Sequence, residues 1–553
     1  MAPAMSFSGR NSGFQVGDNH GSITAQFYVL EDTSADQACL RDLQTTNPRY
    51  DKDRIETAKG GLLNGAYNWI LNHADFKRWR YERQSQLLWI KGDPGKGKTM
   101  LLCGIIDELT KSAPNTTSIS FFFCQSTDVR INCATAVLRG LIFMLVDQQP
   151  SLMSHVRRQY DKTGKQIFEG VNAWEALSDI FTSILEDPLL KNTYLIIDAL
   201  DECTTGLNHL LKLVAQKSSA YPHVKWIVSS RNWPPIEETL GSATQNTKLQ
   251  LELNETSVAE AVAFFINHKV QELTEKKKYN NEIREAVSQH LLSNAHGTFL
   301  WVALVCEKLT NVPKRNVQKK LEEFPPGLDE LYKRMLDQIS DTDDADLCKS
   351  LLGVITTVYR PITLDELMSS IDLSAEVTDD SDLAEIIRLC GSFLTLRGRT
   401  ISLIHQSAKD FLLREAAHDI YPNGADTVHY CIFSKSLGAI SRTLRRDIYH
   451  LVHPGYSIDQ VTQPDPDPLV PIRYACLYWI NHLNECSPYR NAIEDLQDGS
   501  SVGNFFRNDY LHWLEALSLS RSLTAGLASL LRLEKLLKVC VHQCDQGAVL
   551  TLF

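Results

Sequence analysis

Residues 87–100 read LLWIKGDPGKGKTM, and this stretch decides the fold. It begins as an apolar run of strand length, then sets Gly92, Gly97, Lys98 and Thr99 in a GxxxxGK[ST] pattern, and LLCGIIDEL continues from it at helical spacing. A strand feeding a glycine turn that opens a helix is the context this pattern requires. Glycines at 92, 95 and 97 let the backbone wrap an anion with its N–H groups turned inward, and the following helix adds its positive end. Gly92, Asp93, Pro94, Gly95, Lys96, Gly97, Lys98, Thr99 and Met100 are therefore the expected phosphate cradle of a nucleotide. Lys98 would reach the β- and γ-phosphates and the Thr99 hydroxyl would ligate Mg²⁺. A plain glycine turn is the competing reading, and the flanking strand and helix argue against it.

Two later runs bring charge to the ends of buried strands. NTYLIIDALDEC, residues 192–203, delivers Asp198 after four apolar residues, with Asp201 and Glu202 just beyond. P-loop folds hold their metal with a carboxylate so placed, which makes Asp198 the expected magnesium carboxylate. Either Asp201 or Glu202 is placed to polarise an attacking water as general base. VKWIVSSRNWP, residues 224–234, ends in Arg231, whose guanidinium would sense a terminal phosphate or stabilise charge during its transfer. An acidic helix cap and a surface arginine are the ordinary alternatives for these two segments.

Working outward, LLWIKG, SISFFFC, NTYLIIDAL and VKWIVSS alternate with helical stretches between Gln86 and about Leu251, the pattern of a buried parallel α/β sheet. Residues 256–321 read as helix up to the break FPPGLDEL, and a second helical block with the strand-like runs TVYRPIT and SFLTLRGRTISLIH extends to about 414. Further helices follow YPNGAD, interrupted by QPDPDPLVP from Gln463. Upstream, Leu63, Tyr67, Ile70 and Leu71 share a helical face, as expected of a connector packed on the next domain. No repeat of 20 to 50 residues is legible, which excludes a propeller or solenoid here.

Composition narrows the class. The chain has 553 residues, room for about three to five domains. Its apolar fraction of 43% and charged fraction of 22% are those of a folded protein. A formal charge of −11 provides no general attraction to nucleic acid or anionic membrane. Thirteen cysteines without a CxxC pair, and no signal core at the N-terminus, point to a reducing cytoplasmic setting, and no apolar run reaches the roughly 20 residues of a membrane span. Cys540, His542 and Cys544 are closely spaced but lack the fourth ligand of a zinc site. No GxSxG elbow or Cys/His nucleophile pattern appears. The stripe Leu530, Leu533, Leu536 and Leu537 reads as a core face.

Taken together and in this order, these segments resemble the NACHT class of STAND nucleoside triphosphatases, specifically the fungal NLR-like family. RIETAKGGLLNGAYNWIL, FFFCQSTD, AHGTFLWVAL, FPPGLDELYKRML, VYRPITLDEL, HQSAKDFLL and PIRYACLYWINHL also look like its blocks. The resemblance implies a helical linker at 31–84, a nucleotide-binding domain at 85–250, a helical domain at 251–325, a winged-helix domain at 326–420 and a second helical domain at 421–553. It implies a switch that is closed with the diphosphate (ADP or GDP), opens on exchange for ATP or GTP, and then self-associates. Lys98, Thr99, Asp198, Asp201, Glu202 and Arg231 match the family's phosphate-loop, Walker B and sensor positions, and His405 sits where related switches place a winged-helix histidine on the diphosphate. A structural histidine is the plain alternative. Where many relatives have Gly-x-Pro, this chain has Gly297, Thr298 and Phe299, so the choice between ATP and GTP stays open.

Residues 1–30 contain four glycines and almost no charge. RNSGFQVGDNHGSITAQFY resembles the short HET-s-type amyloid signalling motif at the front of some fungal NLR-like proteins. Phe14 and Val16 would lie on one side of a turn at 17–21, with Ile23, Ala25 and Phe27 on the other. This resemblance implies a segment disordered in the monomer that, once clustered, templates a matching motif on a cell-death effector, in fungal incompatibility or innate immunity. Relatives carry a C-terminal repeat array such as WD40 or ankyrin, and none is legible before Phe553, so the activating ligand is not named by the sequence. Two other expectations remain: an ordinary P-loop ATPase or kinase that turns over a substrate, and a nucleotide-locked scaffold that does not hydrolyse.

Overall fold

A computed structural model describes residues 33–543, except 113, 115, 242–246, 371–376, 378, 452–454, 459, 487–494 and 497–498. The amyloid-like segment expected at 1–30, and Cys544 of the CVHQC run, lie outside the described residues.

The four expected strand runs form β1 (Leu87–Lys91), β2 (Thr117–Phe123), β3 (Asn192–Asp198) and β4 (Val224–Ser230), and a short β5 (Thr247–Gln250) follows. They make one parallel sheet in the order β2-β3-β4-β1-β5. Leu87–Ile90, Leu195–Ile197 and Trp226–Val228 are all buried, as continuous apolar strands must be when helices cover both faces. The helix Ala134–Gln148 is apolar nearly all round and correspondingly buried. Its Arg139 stays solvated by protein, donating from Nε and Nη2 to Leu43 O and Asp42 O, both at 2.8 Å. That pair anchors the linker helix Thr33–Leu43 to the sheet domain. Later in the linker, Tyr67 and Ile70 are buried as the periodicity predicts, and Trp79 packs on Tyr194 of β3.

Helices Glu255–Lys277, Asn281–Asn294, Phe299–Asn311 and Leu328–Ser340 follow the sheet domain. Then β6 (Ile362–Thr363), β7 (Leu394–Arg397) and β8 (Thr400–Leu403) form an antiparallel sheet of order β6-β8-β7 among the helices Ala345–Thr357, Leu364–Ser370, Asp380–Leu389 and Gln406–Arg414. One apolar core runs continuously through the sheet domain, these helices and the small sheet. A second, separate core holds the helices from Ala425–Thr443 onward, with Trp479 packed against Phe505 and Trp513. Leu533, Leu536 and Leu537 are buried in it and Leu530 packs against it, as expected of a core face. The shared first core fixes three modules around one point, and that point is the C-terminal end of β1, β3 and β4.

Among the described residues no helix is long and apolar enough to cross a membrane.

Candidate functional site

A cavity of about 550 Å³ opens at the C-terminal ends of the strands, where open α/β sheets bind ligands. Of the expected phosphate cradle, Pro94, Gly95, Lys96, Gly97, Lys98, Thr99 and Met100 line it. Gly92 and Asp93 do not; they sit at the loop's root, where the Asp93 N–H donates to Glu252 Oε1 at 2.6 Å and Asp93 accepts from Asn232 Nδ2 at 3.2 Å. Gly95 and Gly97 have φ of 76° and 83°, a backbone that L side chains rarely adopt. The loop also has no room for a Cβ: at Gly97 it would come 2.9 Å from the Phe299 ring, and at Gly95 2.7 Å from Thr298 Cγ2. The helical region thus lies directly on the loop, and Lys96 Nζ donates to His296 O at 2.7 Å across the same junction.

Lys98 opens the helix Lys98–Ser112, and its ammonium donates to Gly92 O at 2.5 Å and Asp93 O at 3.0 Å. Burial lowers its pKa, with the Asp201 and Asp198 charges opposing that shift. Asp198 ends β3 and is buried. Its carboxylate accepts from Ser229 Oγ at 2.5 Å, and the Thr99 hydroxyl also favours its charged form. Burial raises its pKa, while those two hydroxyls and the charges of Lys59 and Lys98 hold it down. The chain then turns sharply through Ala199, at φ 53°, whose N–H donates to Ser229 Oγ at 2.8 Å. Because β4 lies between β1 and β3, Ser229 and Arg231 emerge between the phosphate loop and Asp198.

Arg231 bridges two modules. Its N–H donates to Asp201 Oδ1 at 2.9 Å, its Nε lies 3.0 Å from Asp201 Oδ2, and its Nη1 pairs with Asp410 on the helix Gln406–Arg414. Gln406 Nε2 steadies Asp410 at 2.8 Å, and the Gln406 side chain also accepts from Ser126 Oγ. The Ser126 N–H in turn donates to Glu202 Oε2 at 3.0 Å. Burial, then the neighbouring Asp201 charge, pushes the Glu202 carboxyl up to about 7. Asp201 is thus committed to Arg231, whereas Glu202 keeps a near-neutral pKa and lines the cavity, which suits a proton acceptor.

His405 caps the helix Gln406–Arg414 and also lines the cavity. Its Nδ1 accepts from the Ser407 N–H at 3.1 Å, and burial together with the charges of Lys59, Arg231 and Lys98 holds its pKa well below the usual value. A neutral ring whose Nδ1 accepts must carry its proton on Nε2, so Nε2–H is a donor suited to a phosphate oxygen.

All the expected residues except Gly92 and Asp93 converge on one cavity. Sequence reading missed the linker's share of the wall, Lys59, Leu62, Leu63 and Ala66, and the helical region's Val258 and Phe265. It also missed Ser126, Gln406 and Asp410. The quoted AKGGLL and HQSAKDFLL blocks contain the linker and winged-helix residues, but nothing in their spacing aims them at the phosphate loop. The apolar wall can take a base and the Lys98 end an anion. Thr99 and Asp198, both on the cavity wall, fit a Mg²⁺ held by few protein oxygens plus phosphate and water. No cluster of three or more His, Cys, Asp or Glu side chains suited to holding a metal ion occurs among the described residues.

Residues 65–231 match the family described as Nephrocystin 3, N-terminal, and residues 334–421 match the winged helix domain of GPI inositol-deacylase. The chain is 53% identical over 526 residues to the vegetative incompatibility protein HET-E-1 of Podospora anserina, covering 92% of this chain and 39% of that protein. It therefore spans about two fifths of the length of the curated relative it matches. Similar solved structures include the Walker-type ATPase of Pyrococcus abyssi, at 10% identity over 64% of this chain and 96% of that one with a TM-score of 0.31. Another is the Aeropyrum pernix ORC1 protein in complex with DNA, at 12% identity, 70% and 96% coverage and a TM-score of 0.26. The first family match thus falls on the linker and the parallel-sheet domain, and the second, a winged-helix family, on the module that carries the small antiparallel sheet and His405.

Proposed function

We propose that the chain is a nucleotide-controlled signalling switch of the fungal incompatibility type. The observation that carries this reading is the arrival of His405 and Asp410, both from the winged-helix module, at the site built by Lys98, Asp198 and Arg231. A ligand held by both modules stabilises their closed arrangement by its differential affinity for that state. ADP or GDP would be held by the 94–100 loop, Lys98 and the Nε2–H of His405. In this reading the terminal phosphate of a triphosphate would compete with Asp410 for Arg231, so exchange would favour opening. Mg²⁺, held by Thr99 and Asp198, would neutralise phosphate charge. Arg231, released from Asp410, would stabilise negative charge at the terminal phosphate, and Glu202 would accept the proton of an attacking water. Hydrolysis in this reading is slow and resets the switch.

Opening would expose surface for self-association, and the 1–30 segment would then template a matching amyloid motif on a cell-death effector. Similarity to the incompatibility protein supports the signalling role, and the motif resemblance supports the templating step.

The test is mass by light scattering together with chromatography of heat-released nucleotide, for wild type and Lys98→Ala. A monomer carrying stoichiometric diphosphate, with Lys98→Ala empty, is the expected result, and it names the base. Wild-type protein without nucleotide that turns triphosphate over rapidly and does not assemble would overturn the switch in favour of a turnover ATPase.

A further inference from the structure

The linker meets the cavity where the helix Pro48–Ala58 ends, and that end is fixed by two modules. Arg397 Nη2, on β7 of the small sheet, donates to Ala58 O at 2.9 Å, and the Lys59 N–H closes back on carbonyls of the last helical turn. Immediately afterwards the chain runs tight against the helical region. A Cβ at Gly60 would lie 3.2 Å from Lys269 Nζ, and one at Gly65 would lie 2.4 Å from the Phe264 ring. Lys59 is therefore held by its backbone at the cavity wall, beside the same space as Lys98, Thr99, Asp198, Arg231 and His405.

The cations of the phosphate loop and of the β4 end already have protein partners. Arg231 is paired with Asp201 and Asp410, Lys98 with two loop carbonyls, and Lys96 with His296 O. Lys59 has no carboxylate within ion-pair distance among the described residues. Its charge still reaches across the cavity: after burial it is the largest influence lowering the pKa of His405. Lys59 and His405 line one cavity with Lys98, Thr99 and Asp198, so this linker cation borders the space that the nucleotide's phosphates would occupy.

We propose that Lys59 is a phosphate-binding residue supplied by the linker, so that the nucleotide's terminal phosphates hold the linker against the site. This rests on the nucleotide reading of the cavity and adds a third module to the ligand's grip. Lysine suits the task as a compact point charge on a flexible stem that follows a phosphate without fixed geometry. Because coupling is reciprocal, phosphate binding tightens the linker, and displacement of the linker weakens phosphate binding by the same factor. The segment leading to the N-terminal signalling region is in this way read out by the nucleotide directly.

The experiment uses the full chain as wild type, Lys59→Met, Lys59→Arg and Lys98→Ala. Binding of adenosine and guanosine mono-, di- and triphosphates with Mg²⁺ is measured by calorimetry, and hydrogen exchange is followed over residues 59–72. Loss of one charge-assisted phosphate contact predicts about tenfold weaker binding of di- or triphosphate by Lys59→Met, unchanged monophosphate binding, and recovery by Lys59→Arg. Nucleotide loading should protect residues 59–72 in wild type and much less in Lys59→Met. Wild-type affinity in Lys59→Met, or an equal loss for mono- and triphosphate, overturns the Lys59 assignment alone when Lys98→Ala still fails to bind. Absence of binding by wild type, or undiminished binding by Lys98→Ala, overturns the nucleotide reading together with it.

Discussion

Asp410→Asn removes the charge that ties Arg231 to the winged-helix module while leaving the shape that Gln406 touches. Both partners are about a quarter exposed, 25% for Arg231 and 26% for Asp410. A hydrogen bond to a charged group contributes about 1.5 to 3 kcal/mol, more when buried. Partial exposure screens this pair, and Arg231 keeps Asp201 after the change, so the lower end applies, about 1.5 kcal/mol. If the pair holds the modules closed, that loss moves the closed-to-open ratio about tenfold toward open. Stopped-flow release of a fluorescent nucleoside diphosphate should therefore be about tenfold faster in the variant, and the helix Gln406–Arg414 should lose hydrogen-exchange protection. The contact between Ser126 and Gln406 survives the change and keeps opening from becoming complete. Release and protection both indistinguishable from wild type would refute the idea that this ion pair holds the two modules together.

Glu202→Gln should remove most hydrolysis, and the pH profiles supply a control. With its pKa raised to about 7, from an ordinary value of 4.5, Glu202 binds its proton more tightly in the fold than in the unfolded chain. The stability it contributes is complete below 4.5 and is lost as pH rises through about 7. The melting temperature of Glu202→Gln relative to wild type should therefore climb across that window, and only wild type should show a hydrolysis rate rising with pH near 7; parallel curves would remove Glu202 from the role of base. His405→Asn and His405→Ala separate capping from phosphate contact, since asparagine still caps the helix and alanine costs about 1 kcal/mol more. Both should release diphosphate faster, with only the alanine variant melting appreciably lower; diphosphate release at the wild-type rate by both would leave His405 a structural cap.

Much of the sheet domain was legible because its signals are local. Four long apolar runs, a glycine pattern at fixed spacing and carboxylates at strand ends are each written within about a dozen residues. The edge strand β5 escaped notice because four residues of alternating burial, TKLQ, look no different from a loop. The order β2-β3-β4-β1-β5, which sets Ser229 and Arg231 between the phosphate loop and Asp198, has no local signature, since hydrogen-bonding between strands is blind to distance along the chain.

The sequence by itself determined the candidates for phosphate and metal chemistry: the 92–100 loop, Asp198, the Asp201 and Glu202 pair, and Arg231. Only the tertiary structure decided what surrounds them. Asp410 is 179 positions from Arg231, Gln406 is 280 from Ser126, and Lys59 shares a wall with His405. The same structure divided the acids, giving Asp201 to Arg231 and leaving Glu202 with a raised pKa. Those outcomes depend on burial and on partners from distant segments, which exist only once the shared core has drawn the linker, the sheet, the helices and the winged-helix module around one cavity.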